Sequence, residues 1–436
     1  MGRKRKSQAL NLYIGSSKVG TYARDAAGAT SFRYNDDWLA SEKAFPVSLS
    51  LPLSDRLWTG GVLASVFDGL LPDDRAVREA IAAREGAESA GAFDLLAAIG
   101  RDCVGALRFI PEGEASGDPA TMTYRPIDDE EIARRVASLT RAPLGMSARR
   151  RDAGEDEDFR ISIAGMQEKT AFLHAEDRWQ LPLGATPTSH IFKPAMRTWI
   201  ARADFSDSPW NEWFCLELCA GLGLASARSV VRHFDNKPVI VVERFDRHWQ
   251  DGILYRLPQE DMCQALGVPP TRKYQSDGGP SILAILDFLN RAANPRADRL
   301  TFLRTQIVFW LLAAIDGHAK NTSIFLTPGG FNLTPLYDVM SAAPYPKLAS
   351  RKAKMAMAVG DNRHYRLHDI VPRHFHQMGR AAGFAAEDMD DVFAGLSASL
   401  DGVLETVVAK AARSGMPEEA REAIVEGVRA RAKLIR

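Results

Sequence analysis

Apolar and polar positions alternate in short runs through much of the first 245 residues, and after Phe245 the apolar period becomes helical and stays mostly so to Arg436. Residues 10–14, then Gly15, then residues 19–22 read as a hairpin, and 47–51 (Val-Ser-Leu-Ser-Leu) alternate like a further strand. Residues 76–99 are Ala/Glu-rich and helical. Residues 160–164 alternate ahead of Gly165, 170–174 and 179–183 form a hairpin, and 188–193 make a strand stopped by Pro194. Ser208-Pro209 predicts a helix start, a side-chain cap followed by proline at the first helical position, with the helix ending near Gly221–Gly223. Residues 229–234 and 238–242 predict a second hairpin turned at Asp235-Asn236.

The expected fold class is therefore α+β, a two-lobed arrangement with a β-rich lobe followed by a helical one. The expected boundaries are a small β-rich domain over 1–115, a connector over 116–158, the β lobe over 159–245 and the helical lobe over 246–436. The connector carries a short helix and the charge runs Arg149-Arg150-Arg151 and Glu155-Asp156-Glu157-Asp158, a composition suited to surface.

Composition narrows the class without naming a function. A chain of 436 residues, 46% hydrophobic and 25% charged, has ample apolar surface for a core. Lys+Arg and Asp+Glu each number 55, so no global field marks a nucleic-acid or membrane binder. The four cysteines include no Cys-x-x-Cys pair; Cys215 and Cys219 share a helical face, where buried thiols are expected. The longest apolar run, 307–315, is too short to span a bilayer, and no apolar stretch follows the basic start Arg3-Lys4-Arg5-Lys6. A reducing, cytoplasmic setting without membrane contact is expected.

The chemistry is concentrated in the second half. In Asp316-Gly317-His318-Ala319-Lys320-Asn321 an apolar helix gives way to a polar loop, and a strand follows. Asp316 and Asn321 have the Asp-x-x-x-x-Asn spacing of a kinase catalytic loop, where the aspartate takes or orients the acceptor's proton and the asparagine holds Mg²⁺. Tyr337-Asp338 follows a short strand and offers a second carboxylate for the cation, which needs oxygen ligands from converging loops. Upstream, Ala164, Gly165, Met166, Gln167, Glu168 and Lys169 form a strand–loop–strand whose N–H groups can cradle phosphates, though it is not a Walker A loop. Lys193 ends a strand where a lysine reaches the α- and β-phosphates of ATP, and Glu212 lies in the next helix. A solvent-exposed lysine and a helix-surface glutamate are the alternatives. Glu243, Arg244 and Phe245 leave the second hairpin where an adenine is read by backbone groups. Each signal is modest alone; their order is that of a kinase.

These blocks resemble the HipA family of bacterial toxin kinases, as do Leu257-Pro258-Gln259-Glu260-Asp261-Met262-Cys263-Gln264 and Tyr274-Gln275-Ser276-Asp277-Gly278-Gly279-Pro280. The resemblance implies a serine/threonine kinase using ATP and Mg²⁺, with Asp316 as base. The implied nucleotide site comprises 164–169, Lys193, 243–245, His318, Ala319, Lys320, Asn321, Tyr337 and Asp338, with Asn321 and Asp338 on the metal. It also implies inhibitory autophosphorylation at Ser162 and an aminoacyl-tRNA synthetase as substrate, the glutamyl enzyme being the best-known case, with growth arrest and persistence as the outcome. The implied partner is a HipB-type helix-turn-helix antitoxin, through which the pair reaches operator DNA. Arg380 is the candidate DNA contact on this chain; the family's second basic position there is Gly383. Two other readings use the same residues: a small-molecule or lipid kinase, and a non-catalytic DNA-bound co-repressor.

Overall fold

The computed structural model describes residues 7–140, 167–196, 204–349 and 351–435. It is a mixed α/β protein, β-rich toward the N-terminus and helical toward the C-terminus. The chain divides into two compact units. One holds residues 1–193, 243–271 and 324–329, and the other 194–242, 272–323 and 330–436.

The first unit opens with the expected hairpin, Gln8–Ile14 against Ser17–Arg24, inside a five-stranded sheet completed by Thr30–Tyr34, Trp58–Thr59 and Leu107–Pro111. Its apolar face is aromatic. The Phe67 ring lies 4.6 Å from Tyr22, 5.6 Å from Phe32 and 5.3 Å from Phe109, in tilted or edge-on contacts that suit the ring quadrupole. The 76–99 stretch forms two helices, Arg75–Glu85 and Ala92–Ile99, because Gly86 takes a left-handed cap at φ 69° and stops the first.

Residues 47–51 form no strand. Three of their N–H groups go to side chains instead, Val47 donating to the Tyr34 hydroxyl, Leu49 to Glu260 Oε1 and Ser50 to Ser48 Oγ, while Leu51 donates to the Ser48 carbonyl. Burial does not follow the alternation here, since Ser48 is buried and Leu49 only half-buried, and the hydrogen bonds go elsewhere than to a strand. In the connector, Thr123–Pro126 pairs with Arg178–Leu183, which pairs in turn with Thr170–Ala175 and, beyond it, His190–Pro194. The 175–178 turn is tight, with Glu176 and Asp177 both at positive φ. After Phe245 the chain is less helical than its periodicity suggests, since Arg247–Gln250 and Ile253–Arg256 form a hairpin.

The second unit is built on the helices Ser208–Gly221, Pro295–Leu312, Ala386–Arg413 and Glu418–Ala432. Asp207 holds the N-cap position of the first of these without a side-chain cap bond, and the Ser208 hydroxyl accepts from the Met196 N–H instead of capping the helix. Gly221 lets that helix approach Ala386–Arg413, since a Cβ there would lie 2.4 Å from Val403, and Lys410 bonds Glu217 at 2.6 Å nearby. Ala386–Arg413 is long and apolar enough to cross a membrane by composition. Its buried residues, among them Met389, Val392, Phe393, Leu396 and Leu400, recur at helical spacing as in a core-facing stripe. The Ser229–Phe234 and Lys237–Glu243 hairpin turns at Asp235 and Asn236 as expected, both with positive φ. All four cysteines are free and buried.

Candidate active site

The helical unit assembles the loop from 316 to 321. Pro295–Leu312 is buried along its last two turns and ends at Ala313, which is left-handed at φ 54°. The carbonyls left open there are answered by the Arg431 Nε on Leu311, the Ser341 hydroxyl on Leu312 and the Ala342 N–H on Ala313. Gly317 is fixed by proximity: a Cβ would sit 2.4 Å from the Phe309 ring.

The loop braces itself. The N–H of His318 donates to the Asp316 carbonyl at 2.8 Å, and that of Asn321 to the His318 carbonyl at 2.9 Å. The Asn321 amide nitrogen also donates to the Asp316 carbonyl, at 2.9 Å. With nitrogen committed inward, the amide offers its Oδ1 to a cation. The Asp316 carboxylate is 48% exposed, its Oδ1 3.6 Å from Nε2 of the buried His318 and hydrogen-bonded by the Tyr274 hydroxyl. A half-exposed carboxylate on a rigid loop can meet a substrate hydroxyl. Ala319, Lys320 and Asn321 are buried in a short 3₁₀ turn.

Asp338 is brought to this loop by its neighbours. The Tyr337 hydroxyl lies 2.5 Å from Ser323 Oγ and donates to the Lys320 carbonyl at 2.7 Å. Leu336 is bonded on both sides to Ala225 and Ala227. Ser341 is clamped by Asn211, whose amide donates to its carbonyl and accepts its N–H, each at 2.8 Å. Asp338 itself holds φ 58°, a conformation an aspartate adopts at a cost of the order of 1 kcal/mol where surroundings over-determine it. The same clamp fixes the helix carrying Glu212, which is 2% exposed and so is no surface glutamate.

In the other unit Lys193 lies in the strand His190–Pro194, one residue before its end, and is 5% exposed, which removes the solvated-lysine alternative. Gln167, Glu168 and Lys169 lead half-buried into Thr170–Ala175. Ala164, Gly165, Met166 and Ser162 lie outside the described residues. His190 packs its ring on Trp179 at 5.1 Å, a structural contact.

Arg244 stands at the expected crossover, directly after the strand Lys237–Glu243. Its N–H donates to the Ser189 carbonyl and its carbonyl accepts from Arg247. Its guanidinium is turned into a buried network with Asp246, at 2.7 Å, and Asp102. The side chain is therefore bound into a structural ion network. The Phe245 ring stands 6.0 Å from Phe325, edge-on. Asp102 also binds Arg247 and Arg256 at 2.9 and 2.8 Å and accepts from Thr188. Burial alone would raise its pKa, but the three guanidinium groups outweigh burial and hold it well below the usual carboxylate range. Burial and the neighbouring Arg244 push Arg247 down to about 10.

Sequence reasoning missed Asp102, Phe325 and the role of Tyr274. The first two sit far from the residues they meet, and their spacing carries no motif. Tyr274 lies in the block 274–280, and nothing local predicts that its hydroxyl meets a carboxylate 42 residues on. Arg380 is 75% exposed on Pro372–Ala381 and pairs with Asp361 at 3.3 Å.

Residues 10–110 match the HipA N-terminal domain model and residues 161–404 the HipA-like C-terminal domain model. A Sinorhizobium fredii protein named as a candidate kinase, Y4mE, is 35% identical over 356 residues, 80% of this chain and 80% of that one. The serine/threonine-protein kinase toxin HipA of Shewanella oneidensis is 28% identical over 370 residues, 82% of this chain and 79% of that one. The solved complex of Shewanella oneidensis HipA and HipB with operator DNA contains a chain of the same fold. It matches with a TM-score of 0.75 at 24% identity, over 98% of this chain and 96% of that chain. With both domain models matched in order, and a relative above 30% identity across most of its length, the chain belongs to the HipA family of kinases.

Proposed function

We propose that this chain is the toxin of a toxin–antitoxin module, a serine/threonine kinase that moves the γ-phosphoryl group of ATP to a protein hydroxyl. The observation that carries this reading is the self-braced loop on which Asp316 stands half-exposed while Asn321 is anchored through its amide nitrogen. In the transfer, the acceptor oxygen bonds to the γ-phosphorus, the bond to the β–γ bridging oxygen breaks, and ADP leaves. Asp316 orients the hydroxyl and takes its proton. Asn321 and Asp338 form a hard-oxygen pair suited to Mg²⁺, a cation that takes few protein ligands and fills its shell from phosphates and water. When bound, that cation neutralises the charge of the phosphates. Lys193, His318 to Lys320 and the 164–169 loop are assigned to the phosphates, and Glu243 and Phe245 to the adenine.

The relative from Shewanella is named as a toxin kinase, and its solved assembly holds HipB and operator DNA. By that kinship we assign this chain a HipB-type antitoxin and contact with DNA mainly through it; the resemblance of its sequence blocks to the family, not the assembly, is what suggests an aminoacyl-tRNA synthetase as target. The balanced charge supports the indirect DNA contact, with Arg380 as this chain's own candidate. Four free cysteines support a cytoplasmic setting.

The test is incubation of the purified chain with γ-labelled ATP, Mg²⁺ and a cell lysate. Label on a protein band that disappears with Asp316→Asn supports the reading. Label on a small molecule would replace it with a metabolite kinase, and no label anywhere with a co-repressor.

A further inference from the structure

Tyr274 lies in none of the roles assigned above, yet its hydroxyl donates a hydrogen bond to Oδ1 of the Asp316 carboxylate. We infer that Tyr274 is the positioning residue of the catalytic aspartate, occupying one carboxylate oxygen so that the other is held toward the acceptor hydroxyl. This inference rests on the kinase reading and deepens it.

The backbone around Tyr274 is immobilised on three sides. The Lys273 carbonyl accepts from the Ala319 N–H inside the catalytic loop at 3.2 Å. The Tyr274 carbonyl accepts from Asp277 and Gly279. Gln275 Oε1 accepts the Ala358 N–H at 2.8 Å, tying the segment to the strand Lys354–Val359. The turn that brings these groups together requires two glycines. Gly278 is left-handed at φ 90°, and a Cβ on Gly279 would lie 2.2 Å from the Arg272 carbonyl oxygen. The ring is fixed as well, standing edge-on to the buried His318 imidazole at 4.9 Å and 88°. A phenol held by its backbone, its ring and its hydroxyl cannot follow a wandering carboxylate; it selects the rotamer.

The energetic need is plain. A half-exposed aspartate has several rotamers open to it, and each one that misdirects the carboxylate subtracts from the reactive population. An error of about 1 Å in a reacting group costs on the order of 10²-fold in rate. The phenol hydroxyl supplies the restraint without adding a charge at the site. It touches neither phosphate nor acceptor in this assignment, so it acts through Asp316 alone.

Tyr274→Phe keeps the ring against His318 and removes only the donor. The expected result is a kcat about 10- to 100-fold below wild type, of the size expected for misplacement of a reacting group, with KM for ATP and Tm unchanged. Because Tyr274 acts through Asp316, the double variant Tyr274→Phe/Asp316→Asn is expected to be no slower than Asp316→Asn alone. A kcat within twofold of wild type for Tyr274→Phe overturns the inference, as does a double variant slower by the full single-variant factor. Wild-type protein that transfers no phosphate overturns the kinase reading and this inference with it, an outcome distinct from an active wild type indifferent to Tyr274.

Discussion

Asp316 and Asp338 are both carboxylates on constrained backbone, and they predict different failures. Asp316→Asn removes the proposed proton acceptor while leaving shape and the backbone bonds of its loop in place. Phosphoryl transfer should fall at least about 10²-fold, the usual size of a positioned acid–base group, with ATP affinity largely kept. Single-turnover transfer and ATP titration check the two halves of that statement. Asp338→Ala instead removes an anionic oxygen from the proposed cation pair, so the gain in ATP affinity on adding Mg²⁺ should shrink, as read by calorimetry with and without the cation. Ser162 makes a third residue-scale prediction. A phosphoserine carries roughly −1.5 to −2 charges at neutral pH, which would repel the phosphates of ATP from the adjoining 164–169 loop. Mass spectrometry after incubation with ATP and Mg²⁺ should find Ser162 modified, and the separated phospho-form should bind ATP more weakly than the unmodified form.

At the scale of elements, one buried carboxyl joins two segments far apart in sequence. Glu260 is 1% exposed, and its Oε1 accepts the Leu49 N–H while the Ser48 and Ser50 hydroxyls donate to the Gln264 carbonyl. Burial pushes the Glu260 carboxyl up to about 8, against the weaker opposing pull of its bonds to Ser48 and Leu49. Its unfolded counterpart titrates near 4.5, so between those values the native state holds a proton that the unfolded chain has lost. The stability contribution of this group is full below the lower value, is lost as pH rises through the window and is flat above about 8. Glu260→Gln keeps the acceptor for Leu49 and cannot ionise. Melting of wild type and variant from pH 4 to 9 should therefore show wild type losing ground to the variant across the window, at up to about 1.4 kcal/mol per pH unit. Parallel curves would exclude Glu260 as the titrating group. The same segments show what alternation conceals. Residues 47–51 have a strand's pattern, yet the side chains of Tyr34 and Glu260 take the N–H groups of Val47 and Leu49, and no local signal announces a partner 211 residues away.

For the molecule as a whole, the Asp102 network joins residues 102–105, within the region matched by the N-terminal model, to the crossover at 244–247. Three guanidinium groups face the carboxylates of Asp102 and Asp246, and the excess positive charge is met by the carbonyls of Cys103, Gly105 and Ala185. Removing one anion from such a set leaves buried cations uncompensated. Asp102→Asn should cost about 3–5 kcal/mol in urea unfolding, as breaking a buried pair does. Because Arg244 lies between Glu243 and Phe245, the same variant should also raise KM for ATP. An unchanged KM would separate the network from the proposed adenine-reading segment.

Sequence alone determined the local terms: which runs pair as hairpins, where the apolar helix before Asp316 ends, and the order of the blocks that mark the family. These depend on neighbours a few residues away, on turn residues such as Asp235-Asn236, and on the fixed spacing of Asp316 and Asn321. The tertiary structure decided what long-range packing controls. It drew the Arg244 side chain into a buried ion network, buried Lys193 and Glu212, and set the phenol of Tyr274 on the carboxylate 42 positions later. The reason is physical: a charged or polar side chain takes its role from the partners that replace its water, and those partners are supplied by the fold rather than by the adjacent sequence.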